Sequence, residues 1–344
     1  MVFVSDRDAD EGFNLEIYLL KDVDEEPVRL TNKPLYDLQP AWSPDGSRIA
    51  FLSPPDDVYD VDVISMFGVY DIYTMFPDGS DVVNLTNNPG SHRFPTWSPD
   101  GKKIAFASHA KGEVGGIFVM NADGSDLTLL NPTVSHDGIQ WSLDGSKIAF
   151  RDREYLYTMN SDGSELFNVT ENLVDIGLDS FFGLSVYSFS LSPDGETVAI
   201  GYTGLLTEGS NIAVVGHDGK TLRYIQADEE VDEMSPSFSP DGEKMVFILS
   251  PNLLCFVDTA SWSPYNLVCY EDRMEISGVA IPEWTADGNF VAYLVRDDAY
   301  IDEHDIHVMR TDGSEVITIT HDSNVNDFEF EWAMDLPTRL KLKW

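Results

Sequence analysis

The sequence contains few basic residues, only two cysteines and no long apolar segment. Lysine and arginine number 21 against 60 aspartate and glutamate residues, which gives a formal net charge of −39. This charge disfavours nucleic-acid binding. It is compatible with the binding of cations, cationic peptides and basic protein surfaces. Simple solubility, or life in salty surroundings, would also explain it. No apolar run approaches the roughly 18 residues that a membrane helix needs, so we expect no membrane insertion.

The sequence also lacks the motifs of the common enzyme classes. It has no Gly-x-Ser-x-Gly elbow, no His-Glu-x-x-His, no phosphate-binding glycine loop and no paired-cysteine metal spacing. His304 and His307 resemble a ligand pair, but His307 occupies the strand position held elsewhere by Tyr18, Tyr73 and Tyr157. We interpret His307 as a strand residue that replaces tyrosine, and we identify no catalytic residue.

What the sequence does contain is a repeated hairpin, first seen as AWSPDGSRIAF at residues 41–51. Pro44 and Asp45 favour a tight turn, and Gly46 supplies the positive φ that closes it. The anchor residue before each turn recurs at a spacing of roughly 45 to 55 residues, which is typical of propeller blades. The seven anchors are Trp42, Trp97, Trp141, Leu191, Phe238, Trp284 and Trp332.

A second hairpin with an Asp-Gly turn follows most copies of the first, as in IYTMFPDGSDVVNLT at residues 72–86. Asp-Gly between alternating apolar runs is a strong hairpin signal. Each blade is therefore predicted to have four antiparallel strands, A to D, and the fold class is all-β, a seven-bladed β-propeller. Both tight turns lie at one end of a blade, which we call the turn face. The longer B–C and D–A connections lie at the other end, which we call the long-loop face.

The repeat resembles that of the TolB-like, WD40-like β-propeller family, in which a Trp-Ser-Pro-Asp-Gly turn is followed by Ile-Ala-Phe, Ile-Tyr-Val-Met and Asp-Gly-Ser. The resemblance covers nearly the whole chain and implies the propeller fold. It says little about function, because the family includes extracytoplasmic scaffolds, propellers fused to peptidases and a few lyases.

The chain ends are predicted to share blade 1, which closes the ring and protects two sheet edges. VFVS and the terminal RLKLKW both resemble strand B of this blade, and we favour VFVS, with residues 340–344 as an added or frayed strand. We predict one domain, 1–344. Its blades are 328–344 with 1–32 (blade 1), 37–87 (blade 2), 92–131 (blade 3), 137–171 (blade 4), 186–227 (blade 5), 233–270 (blade 6) and 279–321 (blade 7).

Two long connections on the long-loop face are predicted to bind a ligand. Residues 54–70 mix four aspartates with aromatic residues, and residues 171–187 form another long insertion. Loops of this length in a compact repeat usually carry function or are partly disordered, although packing over a neighbouring blade is the simpler explanation. The candidate ligand-binding residues are Tyr59, Phe67, Tyr70, Phe181 and Phe182.

The starts of the A strands provide a second set of candidates at the channel entrance. Five residues before each anchor, five of the seven positions are ionisable or able to bind metal. Such rings often hold only water. The candidates are Asp37, His92, His136, Glu233 and Asp327.

Asp6, Asp8 and Asp10 alternate in the first B–C connection, and alternating carboxylates supply the oxygen ligands that Ca²⁺ prefers. Glu11 follows Asp10 where a calcium loop of the EF-hand type has glycine. Arg7 could replace the cation. Calcium is therefore one hypothesis and a solvated acidic turn the other.

Cys255 and Cys269 lie in the C–D hairpin of blade 6. The register of the other blades places them diagonally, roughly 7–8 Å apart, which is beyond the usual Cα separation in a disulfide. We expect free, partly buried thiols. A disulfide is the alternative, because the irregular turn DTASWSPY could shift the register of the two strands.

Two function classes follow. The first is a non-catalytic monomeric propeller that binds a protein, peptide or glycan on its acidic long-loop face. The second is an enzyme-associated propeller, either a lyase with a channel metal or the regulatory propeller of a hydrolase. Because the relatives are mostly extracytoplasmic, we expect a periplasmic, cell-surface or secreted protein. The chain begins in mid-blade, which is compatible with removal of a signal peptide or upstream region.

Overall fold

The computed structural model contains β-strands that form seven antiparallel sheets, the blades of a seven-bladed β-propeller. This confirms the predicted fold class. The residues that the structure describes are 1–8, 14–22, 25–33, 35–55, 68–87, 90–110, 115–132, 138–171, 185–203, 210–217, 222–225, 233–249, 253–262, 267–271, 275–276, 282–296, 304–320, 325 and 327–332.

One compact unit comprises residues 1–139 and 322–344 and contains blades 1 to 3. Blade 1 contains β1 (Val2–Ser5), β2 (Glu16–Leu19), β3 (Val28–Arg29) and, beside β1, β29 (Asp327–Glu331). Blade 2 contains β4 (Leu38–Trp42), β5 (Ile49–Ser53), β6 (Asp71–Met75) and β7 (Val83–Asn84). Blade 3 contains β8 (Gly90–Trp97), β9 (Lys103–Ala110), β10 (Gly116–Asn121) and β11 (Thr128–Pro132).

The other unit comprises residues 140–321 and contains blades 4 to 7. Blade 4 contains β12 (Ile139–Trp141), β13 (Lys147–Asp152), β14 (Tyr155–Asn160) and β15 (Phe167–Asn168). Blade 5 contains β16 (Ser185–Leu191), β17 (Thr197–Thr203), β18 (Ser210–Gly216) and β19 (Leu222–Ile225). Blade 6 contains β20 (Glu233–Phe238), β21 (Lys244–Leu249), β22 (Leu253–Asp258) and β23 (Val268–Glu271). Blade 7 contains β24 (Glu275–Ile276), β25 (Glu283–Trp284), β26 (Phe290–Arg296), β27 (His304–Arg310) and β28 (Val316–Thr318).

The first turn of the repeat folds as its sequence predicts. Gly46 has a φ of +66°, and its N–H donates to the Ser43 carbonyl at 2.8 Å. The Asp45 carboxylate accepts from the Ser43 hydroxyl at 2.7 Å and from the Ser47 N–H at 3.0 Å. The turn is thus held by its own side chains, which explains why the same four residue types recur.

An aromatic pair between strands B and C fills the interior of several blades. Phe51 stacks on Tyr73 with ring centroids 5.7 Å apart, and Phe150 stacks on Tyr157 at 5.5 Å. In blade 7 the corresponding pair is Tyr293 and His307, in edge contact at 6.0 Å. His307 is buried in β27, so the interpretation of this histidine as a strand residue that replaces tyrosine is confirmed.

The chain ends share blade 1 as predicted. β1 pairs antiparallel with β2 on one side and with β29 on the other. VFVS is therefore strand B of this blade, and residues 340–344 lie outside the described residues. Pairing with β29 satisfies backbone groups of β1 that would otherwise form an exposed edge.

The prediction of free thiols is wrong, because Cys255 and Cys269 form a disulfide with Cα atoms 4.1 Å apart. In blade 2 the register is the predicted one, with Thr74 opposite Val83. In blade 6 the residue after Cys255 lies opposite Val268, so the two cysteines are direct partners. The longer C–D connection of blade 6 changes the register, and directly paired residues of an antiparallel ladder have their side chains on one face.

Candidate functional site

Buried polar side chains concentrate at the long-loop face of blades 1 to 3. Strand A begins, strand B ends and strand C begins at this end of a blade. Burying such groups costs free energy unless hydrogen bonds or opposite charges compensate. The partners of each group therefore determine its charge and its chemistry. We call it the polar layer, and its buried members are Ser5, Glu16, Thr31, Asp37, Ser53, Asp71, His92, Ser108 and Asp327.

An acidic residue at the start of strand C and a threonine after strand D form a repeated module in this layer. In blade 1 the Thr31 hydroxyl donates to Glu16 at 2.5 Å and accepts from the Ile17 N–H at 2.9 Å. In blade 2 the Thr86 hydroxyl donates to Asp71 at 3.1 Å and accepts from the Ile72 N–H. The sequence analysis missed this module, although Asp or Glu before Ile-Tyr and a threonine after strand D could have indicated it.

A residue near the start of strand A of the next blade faces this acidic group. In blade 3 it is His92, whose Nε2 lies 3.7 Å from Asp71 Oδ1. In blade 2 it is Asp37, which faces Glu16 and so places two carboxyl groups together. Neither carboxyl oxygen of Asp37 has a hydrogen-bond partner, although the side chain is 1% exposed. Equivalent positions at neighbouring junctions thus hold a histidine–acid pair and an acid–acid pair.

The electrostatic surroundings of Asp37 favour its protonated form. Burial raises the pKa of Asp37 to about 7, and the negative charge of Glu16 acts in the same direction. The neighbouring hydroxyls of Ser53 and Thr31, although not in hydrogen-bonding geometry with Asp37, and the positive charge of Lys33 oppose this rise. Glu16 itself accepts from Asn14 at 2.8 Å and forms an ion pair with Arg29, so Arg29 compensates Glu16 rather than Asp37.

Asp327 is fully buried, and Arg7 compensates its charge. Arg7 Nη2 lies 2.9 and 3.0 Å from the two carboxylate oxygens of Asp327. The guanidinium also stacks over Phe3 and Tyr18, at 5.1 and 5.0 Å from the ring centroids. Asp327 therefore holds Arg7 at the start of strand A.

Asp8 is the member of the proposed calcium triad whose contact is defined. Its Oδ2 accepts from the Tyr18 hydroxyl at 2.7 Å, and burial and this bond together raise the pKa of Tyr18. Asp10 lies outside the described residues. In the ranges that are described, no three His, Cys, Asp or Glu side chains converge as a metal site would require. The calcium hypothesis stays a prediction.

Tyr70 and Glu233 are two further candidate ligand-binding residues that the structure describes. Tyr70 is buried, with a pKa raised to about 12 chiefly by that burial, and its carbonyl accepts from the His92 N–H at 3.2 Å. Glu233 pairs through its backbone with Leu249. The proposed roles of all these positions in ligand binding stay predictions. Tyr59, Phe67, His136, Phe181 and Phe182 lie outside the described residues.

Side chains of strand A also link blades 1 to 3 through a bulge that the sequence analysis missed. Gln39, Phe94 and Glu329 have positive φ values of 50°, 55° and 48°. The Glu329 carboxylate accepts from the Gln39 N–H at 2.8 Å, and the Gln39 side chain accepts from the Phe94 N–H at 2.6 Å. The bulge frees these N–H groups from the sheet ladder, and the preceding blade satisfies them.

No protein-family model matches the chain, but known proteins resemble it. It is 26% identical over 251 residues to the Tol-Pal system protein TolB of Francisella tularensis subsp. mediasiatica (strain FSC147), covering 72% of this chain and 50% of TolB. It is 27% identical over 217 residues to the uncharacterized peptidase YuxL of Bacillus subtilis (strain 168), covering 60% of this chain and 28% of YuxL. The chain therefore spans half or less of the length of these curated relatives.

Among solved structures, the chain resembles the β-propeller domain of the Trilobed protease from Pyrococcus furiosus. The two have a TM-score of 0.61 at 14% identity, over 93% of this chain and 94% of that domain. The chain has the β-propeller fold and resembles TolB in sequence.

Within its described residues, this propeller has no helix that is both long enough and apolar enough to span a bilayer. Its polar layer combines compensated charges, such as Asp327 with Arg7, and one uncompensated carboxyl group, Asp37. The arrangement can hold a proton at Asp37.

Asp37→Asn is expected to flatten the pH dependence of stability in this propeller. The folded pKa of Asp37, about 7, lies above its ordinary value of 3.8. Between these values the folded protein holds a proton that the unfolded chain has lost, so stability decreases as the pH rises from about 4 to 7. A neutral amide removes this loss, which should make the variant more stable at pH 8 by on the order of 2–4 kcal/mol.

Urea unfolding of wild type and Asp37→Asn from pH 4 to 8 measures this difference. Asp78→Asn, at an exposed turn, serves as the control and should leave the slope between pH 5 and 8 unchanged. Parallel profiles for wild type and Asp37→Asn would mean that Asp37 is ionised throughout this range, and the prediction would then be wrong.

Calcium binding by Asp6, Asp8 and Asp10 is tested by chelation. If the triad binds Ca²⁺, chelator should lower the melting temperature, and added Ca²⁺ should restore it with saturation. Mg²⁺ should restore it poorly, because it retains its waters and demands octahedral geometry. Asp8→Asn should abolish most of the effect. A melting curve that chelator leaves unmoved at low salt would identify the triad as a solvated turn.

Proposed function

We propose that this chain is a non-catalytic binding propeller that recognises a protein, peptide or glycan on its acidic long-loop face. The observation that carries the proposal is the polar layer of blades 1 to 3, which includes Asp37, His92 and Asp327. These buried groups lie at the ends of strands joined by the long connections, including residues 54–70. Binding residues commonly lie on loops that a rigid scaffold positions.

The charge of the chain favours a partner with positive groups. A net charge of −39 accelerates the approach of a basic partner and opposes that of a nucleic acid. Among the ligand classes above, we therefore favour a protein or peptide that presents basic residues. We expect the propeller to act as a monomer.

A location outside the cytoplasm fits this proposal. The Cys255–Cys269 disulfide forms and persists most readily in oxidising compartments. TolB, a Tol-Pal system protein, is among the similar proteins. We therefore propose a periplasmic, cell-surface or secreted protein.

The second candidate is an enzyme-associated propeller, and the similarity to the peptidase YuxL favours it. The match covers 28% of that peptidase, so the propeller could regulate a hydrolase whose catalytic residues lie outside these 344 residues. A lyase with a channel metal is the other form of this candidate. It would require ligands such as His92 and His136.

A screen against a peptide library and a glycan array tests the proposed function. Saturable binding is expected, and combined Asp56→Asn, Asp57→Asn and Asp60→Asn substitutions in the long connection should weaken it. The matched control removes the same number of charges at the turn face, through Asp100→Asn, Asp162→Asn and Asp312→Asn. Equal binding by both triple variants would contradict recognition on the long-loop face. Conversion of the bound ligand, detected by mass spectrometry, would favour the enzyme candidate.

A further inference from the structure

A groove opens at the turn face between blades 2 and 3, away from the polar layer. Its volume is about 380 Å³, and its lining includes Trp97, Leu85 and Ala122, which are buried or half-buried. The Trp97 indole N–H donates to the Ala41 carbonyl at 3.1 Å. The indole nitrogen of Trp97 is therefore already satisfied, and the apolar side chains of the lining can contact an apolar chain.

Two turns of blade 3 define the groove by touching blade 2 at separate points. A Cβ atom at Gly101 would lie 3.7 Å from Pro44 Cδ, and one at Gly124 would lie 3.0 Å from the Leu85 carbonyl oxygen. Both glycines have positive φ values, +69° and +85°. Because turns and sheets form both borders, the groove is built from rigid elements of the fold.

Two exposed carboxylates, Asp45 and Asp123, belong to the groove lining. Asp45 Oδ1 accepts from Ser43 and Ser47, and Asp123 Oδ1 accepts from the Ser125 N–H at 3.0 Å and its hydroxyl at 2.6 Å. These bonds hold the pKa of both groups below the usual range. Within the described part of the chain, Oδ2 of each residue accepts no hydrogen bond, so it is available to a ligand.

The cation already in the groove, Arg48, does not compensate these two charges. Its guanidinium forms an ion pair with Asp81 and lies over the Phe76 ring at 4.4 Å. The groove therefore combines an apolar floor with two ionised carboxylates of fixed orientation.

We propose that this groove binds a lysine side chain from an extended basic segment of a partner protein. The four-carbon stem of lysine can lie along Trp97 and Leu85, and its ammonium group can reach Asp45 or Asp123. This would be a second interaction surface, separate from the long-loop face. A second copy of this chain is a poor occupant, because each copy carries a charge of −39.

Titration with the blocked peptide Gly-Lys-Leu-Lys-Gly, followed by calorimetry, tests the proposal. We expect saturable binding that high salt weakens, and no binding when both lysines are acetylated. Asp45→Asn and Asp123→Asn should each weaken binding by about 2- to 5-fold, since exposed ion pairs are worth little individually. Ala122→Phe, which fills the groove, should weaken it more than either.

Blades 6 and 7 supply the matched control. Asp241 and Asp312 occupy the same turn positions. Asp241 accepts from the Ser239 hydroxyl and the Glu243 N–H, and Asp312 accepts from Ser314. A Cβ at Gly313, however, would lie 1.9 Å from the Tyr270 ring. Tyr270 thus occupies space beside the turn where blade 2 has Leu85. Asp241→Asn and Asp312→Asn should leave binding unchanged. The proposal would be overturned if the peptide does not bind at all, or if Asp45→Asn and Asp123→Asn bind it as tightly as wild type does. It would also be overturned if both pairs of variants lose peptide affinity equally.

Discussion

A chain that ends at residue 326 is expected to lose its folded monomer and to aggregate. The deletion removes β29, whose Val4 and Ser5 partners in β1 would then form an exposed edge. It also removes the buried Phe330 and the Asp327 carboxylate that pairs with Arg7. Arg7 would be left without this partner while still covered by blade 1. Size-exclusion chromatography and thermal unfolding measure the result.

The control for this deletion is a chain that ends at Trp332, which retains β29. It should elute as a folded monomer with a cooperative melting transition. If the chain ending at residue 326 unfolds at the same temperature as the full chain, pairing with β29 does not hold blade 1 together, and the proposed role of ring closure in stability is wrong.

Trp97→Ala is expected to lower the free energy of unfolding by about 3–5 kcal/mol, as for other large buried side chains. Trp97 is 7% exposed and packs with Leu52 and Ile72 of blade 2 and with Phe106 of blade 3. Alanine would leave a cavity between two blades and remove the hydrogen bond that the indole donates to the Ala41 carbonyl. Urea or guanidinium unfolding measures the loss.

Two further variants separate the causes of this effect. Trp97→Phe retains most of the buried ring but loses the indole hydrogen bond, so its loss should be smaller than that of Trp97→Ala. Leu127→Ala removes a side chain that is 52% exposed and should change stability by about 0.5 kcal/mol or less. A loss under about 1 kcal/mol for Trp97→Ala would be inconsistent with burial between blades.

The fold was predictable because its signals are local. Each Ser-Pro-Asp-Gly turn carries its own hydrogen-bond partners, as Ser43 and Asp45 show, and alternating apolar residues assign the flanking strands. The number of blades, the strand order and the sharing of blade 1 by both chain ends follow from counting these units.

The contacts of the candidate site were not predictable in the same way. Asp37 and His92 occupy equivalent positions in the repeat, but one faces Glu16 and the other faces Asp71. Whether a pair is acid–acid or histidine–acid depends on two residues from different blades. The spacing of residues within one repeat therefore cannot predict it. Arg7 shows the same limit, since its partner Asp327 lies near the other end of the chain.

The sequence by itself determined the blades, their strands and the acidic character of this protein, because turn chemistry, alternation and net charge are properties of short segments or of composition. Only the tertiary structure decided the Cys255–Cys269 disulfide, the exposed carboxylates of the groove beside Trp97 and the uncompensated burial of Asp37. These features depend on strand register and on packing between blades. Both are set by distant side chains that meet only when the blades assemble.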